Sequence, residues 1–186
     1  MSAAEKIFTN LHQDLIDQCR EGDQRAQFKI YKLYYKAMYN TSLRIVNHSQ
    51  EAEDIMQEAF LSAFQKLDSY RGEVSFGAWL KKIVINRSLD YLRKNNPEYQ
   101  DVDTLVDVEG KDSPDEHSLQ YDVERIKTAV SRLPDGYRTI LSLYLFEGFD
   151  HDEISEILGV APSTSRSQFS RARKRLILEL KKAENE

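Results

Sequence analysis

The chain has 186 residues, a length that allows one medium domain or two small ones. Only 7 glycines and 4 prolines are present, a composition that favours long helices over strands joined by tight turns and predicts an all-α protein. No apolar run reaches the roughly 18 residues of a membrane span, and the single cysteine excludes an internal disulfide. These features exclude membrane insertion and disulfide stabilisation, and they favour a reducing cytoplasm.

The net charge of −5 is unevenly distributed along the chain. Residues 95–124 contain ten acidic residues and one lysine, which gives this segment −9 and the remainder +4. Residues 161–182 contain seven cations and one glutamate, a charge of +6. Because a partner responds to the local field more than to the net charge, the acidic average does not exclude nucleic-acid binding.

The acidic segment 95–121 contains two prolines and shows no sustained hydrophobic period. It is therefore predicted to be a flexible linker between an N-terminal helical domain, residues 1–94, and a C-terminal helical domain, residues 122–186.

The N-terminal domain is predicted to begin with a short helix that ends at Gly22. A second helix follows and runs to about Val46, because apolar or small residues recur at helical spacing at Ala26, Ile30, Leu33, Ala37, Thr41 and Ile45. A third helix is expected over 49–67, and a glycine-flanked loop leads into a fourth over 77–94.

The C-terminal domain is predicted to contain four helices, the second of which is marked by the apolar residues Ile140, Leu141, Tyr144 and Leu145. Pro134 stops the first and Gly148 the second, and Asp150 with Glu153 forms a capping box that opens a short third helix ending at Gly159. Pro162 suits the first position of a long basic helix. A short helix, a tight turn and a basic helix are the helix-turn-helix plan, whose second helix enters the DNA major groove.

Three sets of side chains are candidates for binding. The first, here the basic face, is predicted on the last helix, where Arg pairs well with guanine and Gln with adenine; it consists of Thr164, Arg166, Ser167, Gln168, Arg171, Arg173, Lys174 and Arg175. A solvated face without a ligand is the alternative.

The second set, here the acidic face, lies opposite the apolar stripe of the third helix and consists of Asp54, Gln57, Glu58, Leu61 and Gln65. An apolar residue within a charged rim suggests a protein-binding surface. Periodicity alone also fits an ordinary exposed face.

The third set, here the loop–helix surface, combines residues of the loop with one arc of the fourth helix: Tyr70, Arg71, Ser75, Phe76, Lys82, Asn86 and Arg93. Aromatic rings, cations and an amide at such a junction could hold an unstacked base.

Six short segments together resemble the extracytoplasmic-function group of the bacterial sigma-70 family, in family order and over nearly the whole chain. They are Glu51–Phe60, Tyr70–Gly72, Trp79–Asn86, Leu133–Pro134, Glu153–Gly159 and Ser170–Arg173. The resemblance implies two small helical domains, of the sigma region 2 and region 4 types, and a transcription initiation factor without catalytic residues, cofactor or metal.

The resemblance also assigns a partner to each surface. The acidic face would contact the clamp helices of core RNA polymerase, the loop–helix surface would capture a flipped base of the promoter minus-10 element, and the basic face would read the minus-35 element, with Arg166 and Arg171 at the usual base-contacting positions. The acidic linker would pass towards the RNA channel. An anti-sigma factor is expected to cover one or more of these faces.

Two positions depart from the family pattern. Ser165 stands where the family often has Val, and Gln168 stands where it often has Arg, so the minus-35 sequence that is read is expected to differ from the common one. Ser165 is predicted to lie on the core side of its helix.

Two other classes of function account for less of the sequence. A helix-turn-helix regulator that is not a sigma subunit would use only the C-terminal domain and leave the first domain unexplained. An enzyme would require a nucleophile with its base, paired carboxylates, a metal cluster or a phosphate loop, and the sequence offers no such arrangement.

Overall fold

The computed structural model describes residues 11–96 and 123–182, and every regular element within these ranges is helical. The all-α prediction is therefore confirmed. The elements are α1 (Gln13–Arg20), α2 (Gln24–Val46), α3 (Ser49–Gln65), a 3-10 turn (Leu67–Ser69), α4 (Phe76–Asn95), α5 (Val123–Ser131), α6 (Asp135–Leu141), a π-helical turn (Ser142–Phe146), α7 (His151–Leu158) and α8 (Pro162–Lys182).

The chain divides into two compact units, residues 1–91 and 92–186. The predicted linker lies almost entirely outside the described residues, so its bounds at 95 and 121 stay a prediction. None of the described helices is long and apolar enough to cross a membrane.

Short polar residues begin and end the helices of the first unit. The Asp23 carboxylate accepts hydrogen bonds from the backbone N–H groups of Arg25 (2.7 Å) and Ala26 (3.3 Å), which caps the start of α2. Asn47 ends α2 in the left-handed conformation, at φ 56°. One residue later, the His48 ring accepts from the backbone N–H of Glu51 and caps α3.

The core of the first unit is built on α2, which packs against α1 and α3. On α3 the predicted apolar stripe is buried, from Ala52 to Ala63, and the opposite face is left outside. Burial raises the pKa of the Cys19 thiol, on α1, to about 11, with a smaller contribution from Asp23.

The inward side of α2 differs from the predicted one at two positions. Leu33 is 51% exposed and Ala37 is exposed, whereas Met38 is buried. The reason is the position of α4, which packs on the Met38 side, where the hydroxyl oxygens of Ser42 and Ser88 lie 3.0 Å apart in the core.

In the second unit α5, α6 and α7 all pack on α8. Arg138 is only 4% exposed; its guanidinium donates to the Leu133 carbonyl at 2.9 Å and pairs with Asp135. This buried cation therefore fixes the turn at Pro134 between α5 and α6, and its charge is compensated.

The capping box at the start of α7 is confirmed. The Asp150 carboxylate accepts from the backbone N–H of Glu153 at 2.8 Å, and the Glu153 carboxylate accepts from that of Asp150 at 2.9 Å. Gly159 ends α7 with φ 72°, a left-handed conformation that glycine adopts without strain.

After α6 the predicted apolar pattern fails. Tyr144 and Leu145 were expected inside, but both are exposed, and Leu143 is fully buried instead. The π-helical turn explains the change, because its Glu147 N–H bonds the Ser142 carbonyl five residues back and the wider turn rotates the side chains that follow.

Candidate interaction surfaces

The acidic face lies on the outside of α3, as predicted. Asp54, Gln57, Glu58 and Gln65 are exposed, and Leu61 at their centre is 63% exposed. Gln57 donates to Glu53, one turn earlier, at 3.3 Å, and Gln50 donates to Asp54 at 3.4 Å. An exposed leucine with acids and amides around it matches a protein-binding surface.

Arg87 on α4 forms an ion pair with Glu58 of the acidic face, with 2.8 Å between Nη1 and Oε2. Arg87 falls among the apolar positions of α4. The ion pair gives it a structural role, because it connects α3 to α4 across their outer edges.

Two members of the predicted loop–helix surface are not at the surface. Tyr70 is 3% exposed and Phe76 is 2% exposed, and their rings pack edge to face at 5.6 Å in the core, next to Trp79. The expectation that these two rings offer a stacking surface is therefore corrected: they hold the base of the loop.

The loop between these two rings is held at several points. Arg20 of α1 donates to the Tyr70 carbonyl at 2.8 Å, and the Tyr70 hydroxyl donates to the Val74 carbonyl at 2.7 Å. The Ser75 hydroxyl accepts from the Ala78 N–H at 3.2 Å and so caps α4. The tip, with Arg71, Glu73 and Val74 exposed, is thus presented on a fixed base.

The rest of the loop–helix surface follows along α4, where Lys82 and Asn86 are exposed and Arg93 is half-buried. Close packing holds the start of this helix against α2. A Cβ at Gly77 would lie 3.0 Å from the Tyr34 ring, so this position requires glycine or a shift of that ring.

The basic face lies on the outside of α8. Arg166, Ser167, Arg173 and Lys174 are exposed, while Thr164, Arg171 and Arg175 are half-buried. The prediction that Gln168 belongs to this face is wrong, because its side chain is 2% exposed and lies on the core side. Ser165, predicted on the core side, is fully buried.

A ring cluster fixes the start of α8 against α7. The His151 ring lies 3.0 Å from the Ser165 hydroxyl and stacks on Tyr144, with 5.1 Å between ring centroids, and Tyr144 contacts Phe169 at 4.4 Å. The first turns of both helices of the helix-turn-helix are therefore joined by side chains. The departure at Ser165 supplies one of these contacts.

Sequence reasoning missed two exposed serines. Ser163 and Ser170 are exposed on α8, and hydroxyls of this kind contact phosphates or base edges. In the structure the buried residues Ser165, Gln168 and Ala172 place the centre of the outer face nearer Ser170 than Arg171. The sequence carried no signal for this, because its pattern placed Gln168 on the outer face.

Within the described ranges, no three His, Cys, Asp or Glu side chains come together as a metal site would require.

Family comparisons match two segments of the chain. The model of Sigma-70 region 2 matches residues 30–98, which cover most of α2 and all of α3 and α4. The model of Sigma-70, region 4 matches residues 123–176, from α5 into α8.

Known proteins resemble the chain over most of its length. The RNA polymerase sigma-H factor of Pseudomonas aeruginosa is 31% identical over 87% of this chain and 89% of its own. The ECF RNA polymerase sigma factor SigW of Bacillus subtilis is 30% identical over 89% of this chain and 95% of its own.

Among solved structures, the chain is similar to the sigma factor RpoE of Bartonella quintana, in complex with the anti-sigma factor NepR. The TM-score is 0.57 and the identity 28%, over 82% of this chain and 95% of that one. CnrH, in complex with the cytosolic domain of CnrY, shares the fold, with a TM-score of 0.56 and 20% identity over 91% of this chain and 97% of that one.

Proposed function

The chain belongs to the extracytoplasmic-function group of the sigma-70 family, and from this premise we propose that it brings core RNA polymerase to promoters in the bacterial cytoplasm and helps to open them. It would do so by binding alone, with no catalytic activity and no cofactor. One observation carries the proposal: a region 2 match and a region 4 match stand in order on one chain, at residues 30–98 and 123–176.

The acidic face of α3 would bind the polymerase, through Asp54, Gln57, Glu58 and Leu61. The exposure of Leu61 supports this role, because a leucine in that position gains burial only when a partner covers it. The surrounding carboxylates suit a basic partner surface such as the clamp helices.

The loop–helix surface would bind the melted minus-10 element through Arg71, Ser75, Lys82, Asn86 and Arg93. With Tyr70 and Phe76 in the core, the flipped base would meet the loop tip and the head of α4 instead of these two rings. The hydrogen bonds that hold the loop support this role, since a preformed surface loses less entropy when it binds a nucleobase.

The basic face would enter the major groove at the minus-35 element. Arg166 and Arg171 would contact bases. The phosphates would be contacted by the other cations, Arg173, Lys174 and Arg175, together with Thr164, Ser167 and the two serines Ser163 and Ser170. The ring cluster at His151 supports this role, because it sets the angle at which α8 leaves α7.

An anti-sigma factor would hold the protein inactive by covering its polymerase-binding or DNA-binding surfaces. Its support is the likeness to RpoE of Bartonella quintana, whose solved structure contains an anti-sigma factor. A pull-down that recovers polymerase under all growth conditions, and no other stoichiometric partner, would contradict this.

Run-off transcription with core polymerase and genomic DNA tests the function. We expect promoter-specific transcripts from the wild-type chain and their loss with Asp54→Arg, through failure to bind polymerase, and with Arg171→Ala, through failure to bind the minus-35 element. Asp14→Arg on α1 and Arg125→Ala on α5, both at exposed positions, are the matched controls.

Binding of specific DNA without initiation by core polymerase would refute the proposal. The chain would then act as a helix-turn-helix regulator, an alternative that leaves the region 2 match without a role.

A further inference from the structure

A row of cations follows the outward side of α2. Arg25, Lys29, Lys32 and Lys36 are all exposed and succeed one another at intervals of four, three and four residues. This spacing aligns them along the helix over roughly 16 Å, at about 1.5 Å per residue. We call these four residues the α2 row.

The charge of the α2 row is uncompensated within its own helix. Residues 24–46 contain five cations and no Asp or Glu. None of the four forms an ion pair with a carboxylate of residues 11–96 or 123–182. Like charges three or four residues apart destabilise a helix, so anions placed along the row would relieve a repulsion present in the free chain.

Aromatic rings border the α2 row on one side. Phe28 is 62% exposed. The Nζ atom of Lys32 lies 5.9 Å from the centre of the Phe28 ring and 5.8 Å from the centre of the Tyr35 ring. Tyr35 in turn stacks on Tyr31, with 5.5 Å between centroids. Proteins that bind single strands combine these two features, because cations follow the phosphates while bases stack on the rings.

The order of residues across the helix argues against a protein partner. Protein interfaces concentrate apolar side chains at the centre and charges at the rim. Here the cations form the centre, and the exposed apolar residues Phe28 and Leu33 lie at the two edges.

We propose that the α2 row and Phe28 bind single-stranded nucleic acid, as a second strand-binding surface separate from the loop–helix surface. The two surfaces lie on opposite sides of α2. The Tyr34 ring contacts Phe76 beside the loop. Tyr34 is two residues from Lys32, so their side chains are separated by a rotation of about 200° around the helix axis. The physiological strand would be one released when a promoter melts, and in this respect the inference rests on the proposed function.

Anisotropy of a short fluorescein-labelled oligothymidylate, titrated with the full chain at several salt concentrations, tests the binding. In the triple variant Lys29→Gln, Lys32→Gln, Lys36→Gln we expect the slope of log K against log salt to fall by roughly 2, since each phosphate contact to a single strand contributes about 0.7. The control triple variant Lys66→Gln, Lys127→Gln, Lys181→Gln removes the same charge elsewhere and should keep the slope. Equal losses in both triples would overturn the proposal.

Two further measurements separate the parts of the proposal. Phe28→Ser should weaken binding about fivefold or more at every salt concentration, as the loss of one stacked base predicts, and leave the slope unchanged. A duplex of the same length should bind without dependence on Phe28; if Phe28→Ser weakens duplex and single strand alike, the single-strand assignment fails. Because no polymerase is present, these results stand apart from run-off transcription, whose failure would refute the proposed function alone.

Discussion

Gln168 occupies the turn of α8 between Ser165 and Ala172, and both of these neighbours are fully buried. A glutamine on a basic helix is usually interpreted as an adenine contact, and the sequence alone supports that interpretation. Its burial follows from the way α8 packs on α6 and α7, which no single residue type reveals. The base contacts of this helix are therefore expected from the arginines and serines.

Replacing Gln168 by Ala should destabilise the second unit and leave promoter base preferences unchanged. We expect a loss of about 1–3 kcal/mol in the free energy of unfolding, since the packing of a buried side chain is removed. Urea unfolding and binding to a set of minus-35 duplexes measure the two effects. Arg166→Ala is the contrasting variant, with stability retained and affinity reduced by about 1–3 kcal/mol at one base position. A changed base preference in the Gln168 variant would contradict this prediction and show that the side chain contacts DNA.

Tyr70 and Phe76 show the same limit of sequence reasoning. Aromatic rings at a loop–helix junction fit base stacking and core packing equally well, and periodicity cannot separate the two inside a loop. The deciding contacts come from α1 and α2, through Arg20 and Tyr34, which are distant in the sequence.

At the scale of elements, one hydroxyl contributes to holding the loop after the 3-10 turn. Tyr70→Phe keeps the buried ring but removes the 2.7 Å bond to the Val74 carbonyl. A neutral hydrogen bond contributes about 1 kcal/mol, so we expect the melting temperature of the first unit to fall by roughly 4–8 °C and promoter opening to weaken roughly fivefold. Fluorescence of 2-aminopurine in the minus-10 element, with holoenzyme, reports the opening.

Tyr39→Phe, at a half-buried tyrosine of α2, is the matched control for this variant. Equal opening by wild type and Tyr70→Phe would show that the loop tip does not need this anchor.

The ends of a helix proved predictable where a nearby residue caps the backbone N–H or C=O groups. Asp150 with Glu153 and Gly159 fix both ends of α7 within a few residues of sequence, and these signals were sufficient. The inward face of a helix was less predictable, because it depends on which other helices pack against it. On α2, α4 packs on the side of Met38, which is buried, and Leu33 stays exposed. The π-helical turn after α6 left no mark in the hydrophobic pattern, so Tyr144 and Leu145 were misplaced.

At the scale of the whole molecule, the acidic segment 95–121 should reduce DNA binding by the free chain, because its negative charge offsets the positive charge of the basic face. Residues 95–121 contain eight acids and one lysine, whereas the basic face carries five cations. We expect deletion of 95–121 to raise affinity for promoter DNA several-fold at low salt, an effect that shrinks as the Debye length falls to about 8 Å at physiological ionic strength.

A variant of the full chain with these eight acids changed to Asn or Gln separates charge from linker length, and it should reproduce the gain. Anisotropy titrations with labelled promoter duplex measure both variants. Affinity and salt slope equal to those of the wild type would exclude an electrostatic role for the segment.

The ion pair between Arg87 and Glu58 gives the first unit a route for cooperativity. Glu58 belongs to the acidic face, and Arg87 follows Asn86 on the helix of the loop–helix surface. If the two surfaces bind as proposed, a polymerase cation that attracts Glu58 would release Arg87 for a phosphate. By reciprocity, DNA that attracts Arg87 would raise the affinity of Glu58 for polymerase by the same factor. Because an exposed pair is worth at most about 1 kcal/mol, this coupling is limited to about fivefold. Even so, it would favour the complex of all three components over either binary complex.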